Sequence, residues 1–311
     1  SDGKLDQWEL SLFKDGQCLG TRNYTGVVSG LSAGQSALMT LGPASTLANA
    51  SESSFSLEEV PCGAIDLVAV RGIVTAQTFP SPDRVIIRRG LDLPTGSTIP
   101  DLNFAPAEAF APTAAAATVT NAPAGSAFSI QNSLLTATST LGLLQFSQAT
   151  TMPVSLYFVP ADRTLASDLH EFYADATQSS NLVGQGYVEY TTAVGDKSVA
   201  LGPPLTSPTI TMFGSGVYSR PRAEFASQAE YAEVALARFL QQSLGSSTFV
   251  TLVARAGYHG VAPASWTLVV PDFSGAAGFN TSWMLRPGIN TAYLTEGFSG
   301  PNHLLFGGRP A

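Results

Sequence analysis

Short apolar segments recur along the chain, most of them spanning about four to eight residues and bounded by Gly, Pro, Asn or Ser clusters, the rhythm of a sandwich or barrel of short strands. Predicted strands include Leu5 to Phe13, Val154 to Val159, Gly186 to Tyr190, Thr209 to Phe213, Phe249 to Ala254, Trp266 to Val270 and Thr281 to Leu285. In the segment from Trp266, the large side chains of Trp266, Leu268 and Val270 fall two apart with Thr267 and Val269 between them, which directs one face toward a core. No strand alternates regularly with a long amphipathic helix, so a doubly wound α/β enzyme is disfavoured. The expected fold is all-β, with two β-sandwich-like domains joined by Gly-, Pro-, Ser- and Thr-rich turns.

One stretch carries two patterns. Ser227 followed by Glu230 has the form of a capping box, and Ala232, Leu236, Phe239 and Leu240 would share a helical face before a stop at Gly245, giving one substantial helix at about 227–244. Ala232, Val234 and Leu236 also alternate, and Leu244-Gly245-Ser246-Ser247 would turn one long strand into the next. Helix and hairpin both stand at this point. Between Ala105 and Gly125 the composition shifts to Ala, Pro and Thr, which reads as a linker or as a loop with an edge strand. The run from Gly26 to Gly72 reads as a series of strands closing on itself, and the expected division is therefore a small domain at 1–74 and a larger one at 75–311.

Composition narrows the classes of function. A chain of 311 residues has room for about two domains. Only 12% of its residues are charged, against about 25% in an ordinary soluble protein, and the net charge is -8 with three lysines, Lys4, Lys14 and Lys197. Such a chain has no footprint for a phosphate backbone, so nucleic-acid partners are excluded, and anionic lipid surfaces are disfavoured for the same reason. Apolar runs such as Ile65 to Val70 fall well short of the roughly 18 residues that mark a membrane-spanning helix. With 29 Gly, 20 Pro and few Lys or Glu, the chain reads as an extracytoplasmic β protein, periplasmic or extracellular, held at a membrane if at all through a partner or an anchor removed before Ser1. The two cysteines, Cys18 and Cys62, are read either as a disulfide closing a loop of about 45 residues or as two buried thiols.

Phe55 and Leu57 on one strand, followed by Val60-Pro61-Cys62-Gly63 and an apolar strand from Ile65, resemble the carboxypeptidase regulatory-like, or prealbumin-like, β-sandwich module. The resemblance covers residues 26–72, under a sixth of the chain, and departs from the pattern where Ser53 and Ser54 precede Phe55 in place of a Gly-x-Phe start. It implies structural support or protein contact and transfers no catalytic residue. The segment from Asp83 to Asp175 and the ending with Trp266, Pro271-Asp272-Phe273 and Ser282-Trp283 are similar to uncharacterised secreted bacterial β proteins.

Candidate chemistry is sparse. Gly30-Leu31-Ser32-Ala33-Gly34 satisfies the G-x-S-x-G pattern of a nucleophile elbow, but the residues after it read as a strand where an elbow needs a helix, so Ser32 is taken as a turn serine. His170 has the richest setting of the three histidines. In an extended chain Asp168, His170 and Phe172 share one face, and Glu171, Tyr173 and Asp175 the other. The segment reads as a solvated strand, with Asp168, His170 and Glu171 as candidates for part of a metal or acid/base site. His259 and His303 read as loop residues. The acid pairs Glu58 and Glu59, Asp92 and Asp101, and Asp162 and Asp168 are candidates for paired-carboxylate hydrolysis. Tyr187, Tyr190, Tyr218, Tyr258, Trp266 and Trp283 could stack on sugars, although a sandwich places most such rings in its core.

No catalytic, cofactor or metal site is expected. The favoured function is a non-enzymatic structural or interaction protein with a protein partner in an envelope complex, for instance an accessory subunit on the periplasmic side of a photosynthetic reaction centre. No residue points to that particular assembly. The alternative is a secreted carbohydrate-binding or glycan-hydrolysing protein.

Overall fold

A computed structural model describes residues 20–299, apart from 76–77, 106–107, 139, 179–182, 215–216, 244–245 and 260–262. The predicted strand from Leu5 to Phe13 lies outside the described residues. The chain divides into two units, Ser1–Leu201 and Gly202–Ala311.

In the first unit the strands are β1 (Thr21–Ser29), β2 (Gln35–Leu41), β3 (Ala44–Asn49), β4 (Ser54–Pro61), β5 (Ile65–Thr75), β6 (Thr78–Leu91), β7 (Leu102–Asn103), β8 (Thr113–Thr120), β9 (Ala127–Leu135), β10 (Leu141–Ala149), β11 (Val154–Phe158), β12 (Leu169–Gln178), β13 (Val183–Thr191) and β14 (Lys197–Ala200). Eight of them form one sheet in the order β13-β12-β9-β10-β6-β5-β2-β3. Two three-stranded sheets cover its two halves. β4-β1-β7 lies over the β6-β5-β2-β3 half, with Val28, Met39, Leu57, Leu67, Ile86 and Leu102 buried between. β11-β8-β14 lies over the other half, enclosing Ala117, Ile130, Phe158, Phe172 and Val199.

The strand β5 shows why sheet and sequence agree here. Its run Ile65-Asp66-Leu67-Val68-Ala69-Val70 is buried at every position, as a central strand requires. Leu67 and Ala69 enter the first core, while Val68 and Val70 pack on the opposite side with Phe79, Val85, Leu134 and Leu144. At Gly26 a Cβ atom would lie 2.3 Å from the ring of Phe55, its directly opposite partner in β4, so only glycine lets that ring lie across β1.

The second unit is a smaller sandwich. Its strands are β15 (Thr209–Phe213), β16 (Arg220–Ala226), β17 (Val234–Ser243), β18 (Ser246–Arg255), β19 (Ser265–Val269) and β20 (Ala292–Phe298). They form the sheets β15-β16-β19 and β18-β17-β20, with Phe225, Ala237, Phe239, Trp266 and Leu268 buried in their core.

The all-β expectation holds, and several finer ones change. The stretch at 227–244 is not a helix: after a 3-10 turn at Ala229–Tyr231, β17 pairs along its whole length with β18, so the alternating pattern prevails over the capping box. The Ala-rich segment is neither linker nor edge, because β8 is the central strand of its sheet. Thr281 to Leu285 is not a strand; Asn280 caps a 3-10 turn at Thr281–Trp283 by accepting the Ser282 N–H at 2.9 Å. The expected boundary between 74 and 75 lies at the β5–β6 hairpin of one continuous sheet, whereas the chain divides after Leu201.

Candidate functional site

Asp168 and His170 do lie on one face at the start of β12, but that face is the buried one. Both are almost fully buried, against the expectation of a solvated strand. Burial of Asp168 is sustained by Arg89, a residue 79 positions away. The Arg89 guanidinium donates from Nη1 and Nη2 to the two Asp168 oxygens at 3.1 and 2.5 Å, and from Nη1 to Asp66 Oδ2 at 3.0 Å. A register shift between Ile65 and Leu67, with Gly90 at φ +60, aims Arg89 between the two acids, and the Gly90 N–H donates to Asp66 Oδ1. The Leu165 N–H completes the shell of Asp168. A carboxylate held this way, by three hydrogen bonds from two other segments, is a strand tie.

His170 is the opposite case. Its ring packs edge-on to Phe158 at 4.9 Å, and among the described residues neither ring nitrogen makes a well-formed hydrogen bond, the Val159 carbonyl offering a weak contact. Burial lowers its pKa from 6.5 to about 4; the Val159 carbonyl and Asp168 work against this, and the Lys197 charge adds to it. The histidine is therefore neutral at pH 7. Glu171 lies on the other face and accepts the Tyr190 hydroxyl at 2.5 Å, and burial with that carboxylate holds the phenol well above its ordinary range. The three candidates thus face two environments and converge on no common point.

The remaining sequence candidates are separately engaged. Ser32 is exposed in a turn, its N–H donating to Gln35 Oε1, and β2 follows where an elbow would need a helix. Asp92 pairs with Arg22 at 2.7 Å, Asp101 accepts the Ser29 hydroxyl, and Asp162 lies beside Arg163. Cys18 and His303 lie outside the described residues. Cys62 is not a free thiol, and its Sγ lies 3.2 Å from the Gly20 carbonyl oxygen. His259 ends a 3-10 turn after β18. Among the described residues no group of three or more His, Cys, Asp or Glu is placed to hold a metal ion. None of their helices is long and apolar enough to cross a membrane.

Exposed apolar surface concentrates elsewhere. Among the described residues, ten of the sixteen exposed large apolar side chains belong to the second unit, which holds about a third of the chain. Five of them fall in two patches. The first is the outer face of β18-β17-β20, where cross-strand rows run Phe249–Leu240–Ala292, Thr251–Arg238–Leu294 and Val253–Leu236–Glu296. Phe249 is 67% exposed at the sheet edge.

The second is an aromatic loop cluster. Phe279 contacts Tyr218, Phe273 and Trp283 with ring centroids 5.4, 5.4 and 6.4 Å away, and Trp283 is 64% exposed. Asp272 braces it, accepting the Tyr218 hydroxyl at 2.9 Å and Arg220 Nη1 at 3.0 Å, while the Ser274 N–H and the Tyr218 hydroxyl hold its carboxyl down to about 2. Nearby, a groove of about 350 Å3 is lined by Met212, Phe213, Asn290 and Tyr293 among others. Sequence reasoning named Trp283 but placed it in a strand; Phe273, Phe279 and the Asp272 brace were missed, because loop contacts leave no periodic signal.

No protein-family profile matches the chain, and no curated protein matches it. Among solved structures it is similar to the tetra-tandem repeat in the extending region of a large adhesion protein, at 11% identity over 90% of this chain and 74% of that one. The TM-score is 0.16, at which the likeness carries no argument about fold or role.

Proposed function

We propose that this chain is a non-enzymatic interaction protein of an extracytoplasmic compartment that docks on a protein partner through its second unit, with Trp283 as the anchor. The concentration of exposed apolar side chains on that unit, ringed by few charges, supports this reading. An exposed tryptophan held at its edge by Phe279 and backed by a braced loop has the character of an interface hot spot. An envelope complex is the proposed setting, and the likeness of residues 26–72 to a regulatory-like module fits a contact role.

The test is purification of the native chain and identification of what co-purifies with it. Apolar docking should survive a rise from about 0.1 to 1 M salt, which shortens the Debye length from about 10 to 3 Å. Trp283→Ala should weaken capture by about 30-fold, the loss of about 2 kcal/mol typical of a hot spot. Complete release by salt alone would refute apolar docking. The exposed Trp283 ring also favours one second reading, stacking on a sugar. Saturable binding of an oligosaccharide by a chain that captures no partner protein would establish it instead.

A further inference from the structure

The edge strand β18 has an unused row of hydrogen-bonding groups. The Ala256 N–H donates to the Glu233 carbonyl at 2.8 Å, which extends the β17–β18 ladder by one rung. In an antiparallel pair, residues alternate in pointing both backbone groups toward or away from the partner strand. The even-numbered positions of β18 therefore face β17, and Ser247, Phe249, Thr251 and Val253 direct their N–H and C=O groups outward, where β18 ends the sheet. Among the described residues nothing pairs with them.

Edge strands are normally blunted by brevity, Pro, bulges or charge. β18 has ten residues, a register without shifts and no Pro, Lys, Asp or Glu. Its side chains alternate strictly, and Phe249, Thr251 and Val253 all stand on the exposed face. Its one charged residue, Arg255, closes the strand, so nothing along the stretch from Ser247 to Val253 repels an incoming strand.

We infer that β18 pairs antiparallel with β18 of a second copy of this chain, about a two-fold axis through Thr251 and perpendicular to the sheet. The outward groups belong to odd-numbered residues, so a two-fold on an odd residue matches donors to acceptors, and Thr251 is the odd residue nearest the strand's middle. Phe249 then faces Val253 of the second copy, and Val253 faces Phe249, giving two apolar cross-strand pairs on the exposed face. The charged side chain on the central row is Arg238 of β17, which donates to Thr251 Oγ1 at 3.3 Å. It stands three strand spacings, about 14 Å, from its copy, beyond the Debye length at ordinary salt. The result is a continuous six-stranded sheet with its apolar outer face extended across the axis.

This inference rests on the reading of the second unit as an interaction module and names one partner of it. The full chain is examined by sedimentation across a wide concentration range, with the Thr251→Cys and Ser247→Cys variants oxidised mildly beside the unchanged chain as background. A hydrogen-bonded antiparallel pair separates Cα atoms by about 5.5 Å, within disulfide reach. The expected result is a reversible dimer in which Thr251→Cys cross-links copy to copy while Ser247→Cys, which faces Arg255 of the second copy, does not. Thr251→Pro removes the outward N–H, together with the hydroxyl that accepts from Arg238, and should weaken the dimer at least tenfold, and Phe249→Lys, which leaves the backbone unaltered, should do the same. A monomer at all concentrations, or equal cross-linking at both positions, overturns the inference. If the monomer still captures a partner through Trp283, self-pairing falls and the docking proposal stands; a dimer indifferent to Trp283 supports self-pairing and removes that proposal's anchor.

Discussion

Replacing His170 by Leu tests whether a buried imidazole without a well-formed hydrogen bond makes the first unit acid-sensitive. In the folded chain its pKa is lowered from 6.5 to about 4, chiefly by burial. The folded state therefore resists a proton that the unfolded chain accepts, and stability must fall as pH drops from above 6.5 toward 4. Each unit of pKa difference is worth about 1.4 kcal/mol, so the full loss is about 3 kcal/mol, of which about 2.5 kcal/mol develops between pH 7 and pH 4.5. Asp168 and Lys197 both act on the ring, but Asp168 is neutralised locally by Arg89 and Lys197 by Glu189, which leaves desolvation dominant.

The assay is urea unfolding of the full chain at pH 7 and pH 4.5, with and without His170→Leu, following whichever transition the substitution moves. Other carboxylates titrate in both chains and cancel in the comparison. At pH 7 the variant should be close to the parent in stability, because removing a ring whose nitrogens make no well-formed hydrogen bond, only a weak contact with the Val159 carbonyl, forfeits little. At pH 4.5 it should be the more stable by about 2.5 kcal/mol. Parallel pH dependence in the two chains would refute the reasoning, as would a ring pKa near 6.5 by NMR.

Arg89→Met should cost about 3 to 5 kcal/mol at pH 7, because it strands two buried carboxylates, Asp66 and Asp168. A loss under about 1 kcal/mol in urea unfolding would show that water reaches them. Cys18 and Cys62 should resist alkylation without reductant, since the Cys62 Sγ lies beside Gly20, two residues beyond Cys18. Opening that bridge should lower stability by about 4 kcal/mol, and labelling of both residues in the folded chain would refute the pairing.

The legibility of the chain tracks how local its determinants are. The strand Thr209–Phe213 matches its sequence expectation residue for residue, and β5 was readable because an unbroken apolar run is itself the signature of burial on both faces. The stretch from Ser227 defeated local reading, since its capping signals and its alternation are equally local and only the partner β18 decides between them. β8 was missed for a related reason: Thr113-Ala114-Ala115-Ala116-Ala117 has weak strand propensity, and β11 and β14 on its two sides hold it in the sheet. The boundary at 74 follows from reading the strands of 26–72 as a closed unit, whereas β5 and β2 continue into the larger sheet through the pairing of β5 with β6, which strand patterns within the segment do not reveal. For His170 the alternation of the strand predicts the correct face and the wrong depth. Neighbouring acids suggested water, and the residue that removes that need, Arg89, is distant in the chain.

The two units use their polar residues in opposite ways, and this bears on the functional proposal. Twelve of the fourteen buried polar or charged residues among those described belong to the first unit. There Asn132 donates to the Tyr157 carbonyl and Gln145 to that of Ser155, each tying one strand to another, and Thr140 donates to the Asp66 carbonyl, tying the β9–β10 connection to β5. A sheet covered on both halves needs such internal ties, and satisfying polar groups inside fixes its strand pairing. In the second unit two three-stranded sheets enclose the main core, with a smaller cluster of Tyr218, Val270 and Met284 beside it, and antiparallel sheets so arranged ordinarily present polar side chains outward. β18 keeps the alternation but sets Phe249, Thr251 and Val253 on the outside. Covering such a face releases water from apolar surface at about 25 cal/mol per Å2. Much of the charge on the chain is already committed to internal pairs, such as Arg71 with Asp83, Arg88 with Glu108 and Arg220 with Asp272. Attachment by this unit, as proposed, would draw on apolar burial and backbone pairing, with little long-range steering, and salt resistance is the expected mark of such complexes.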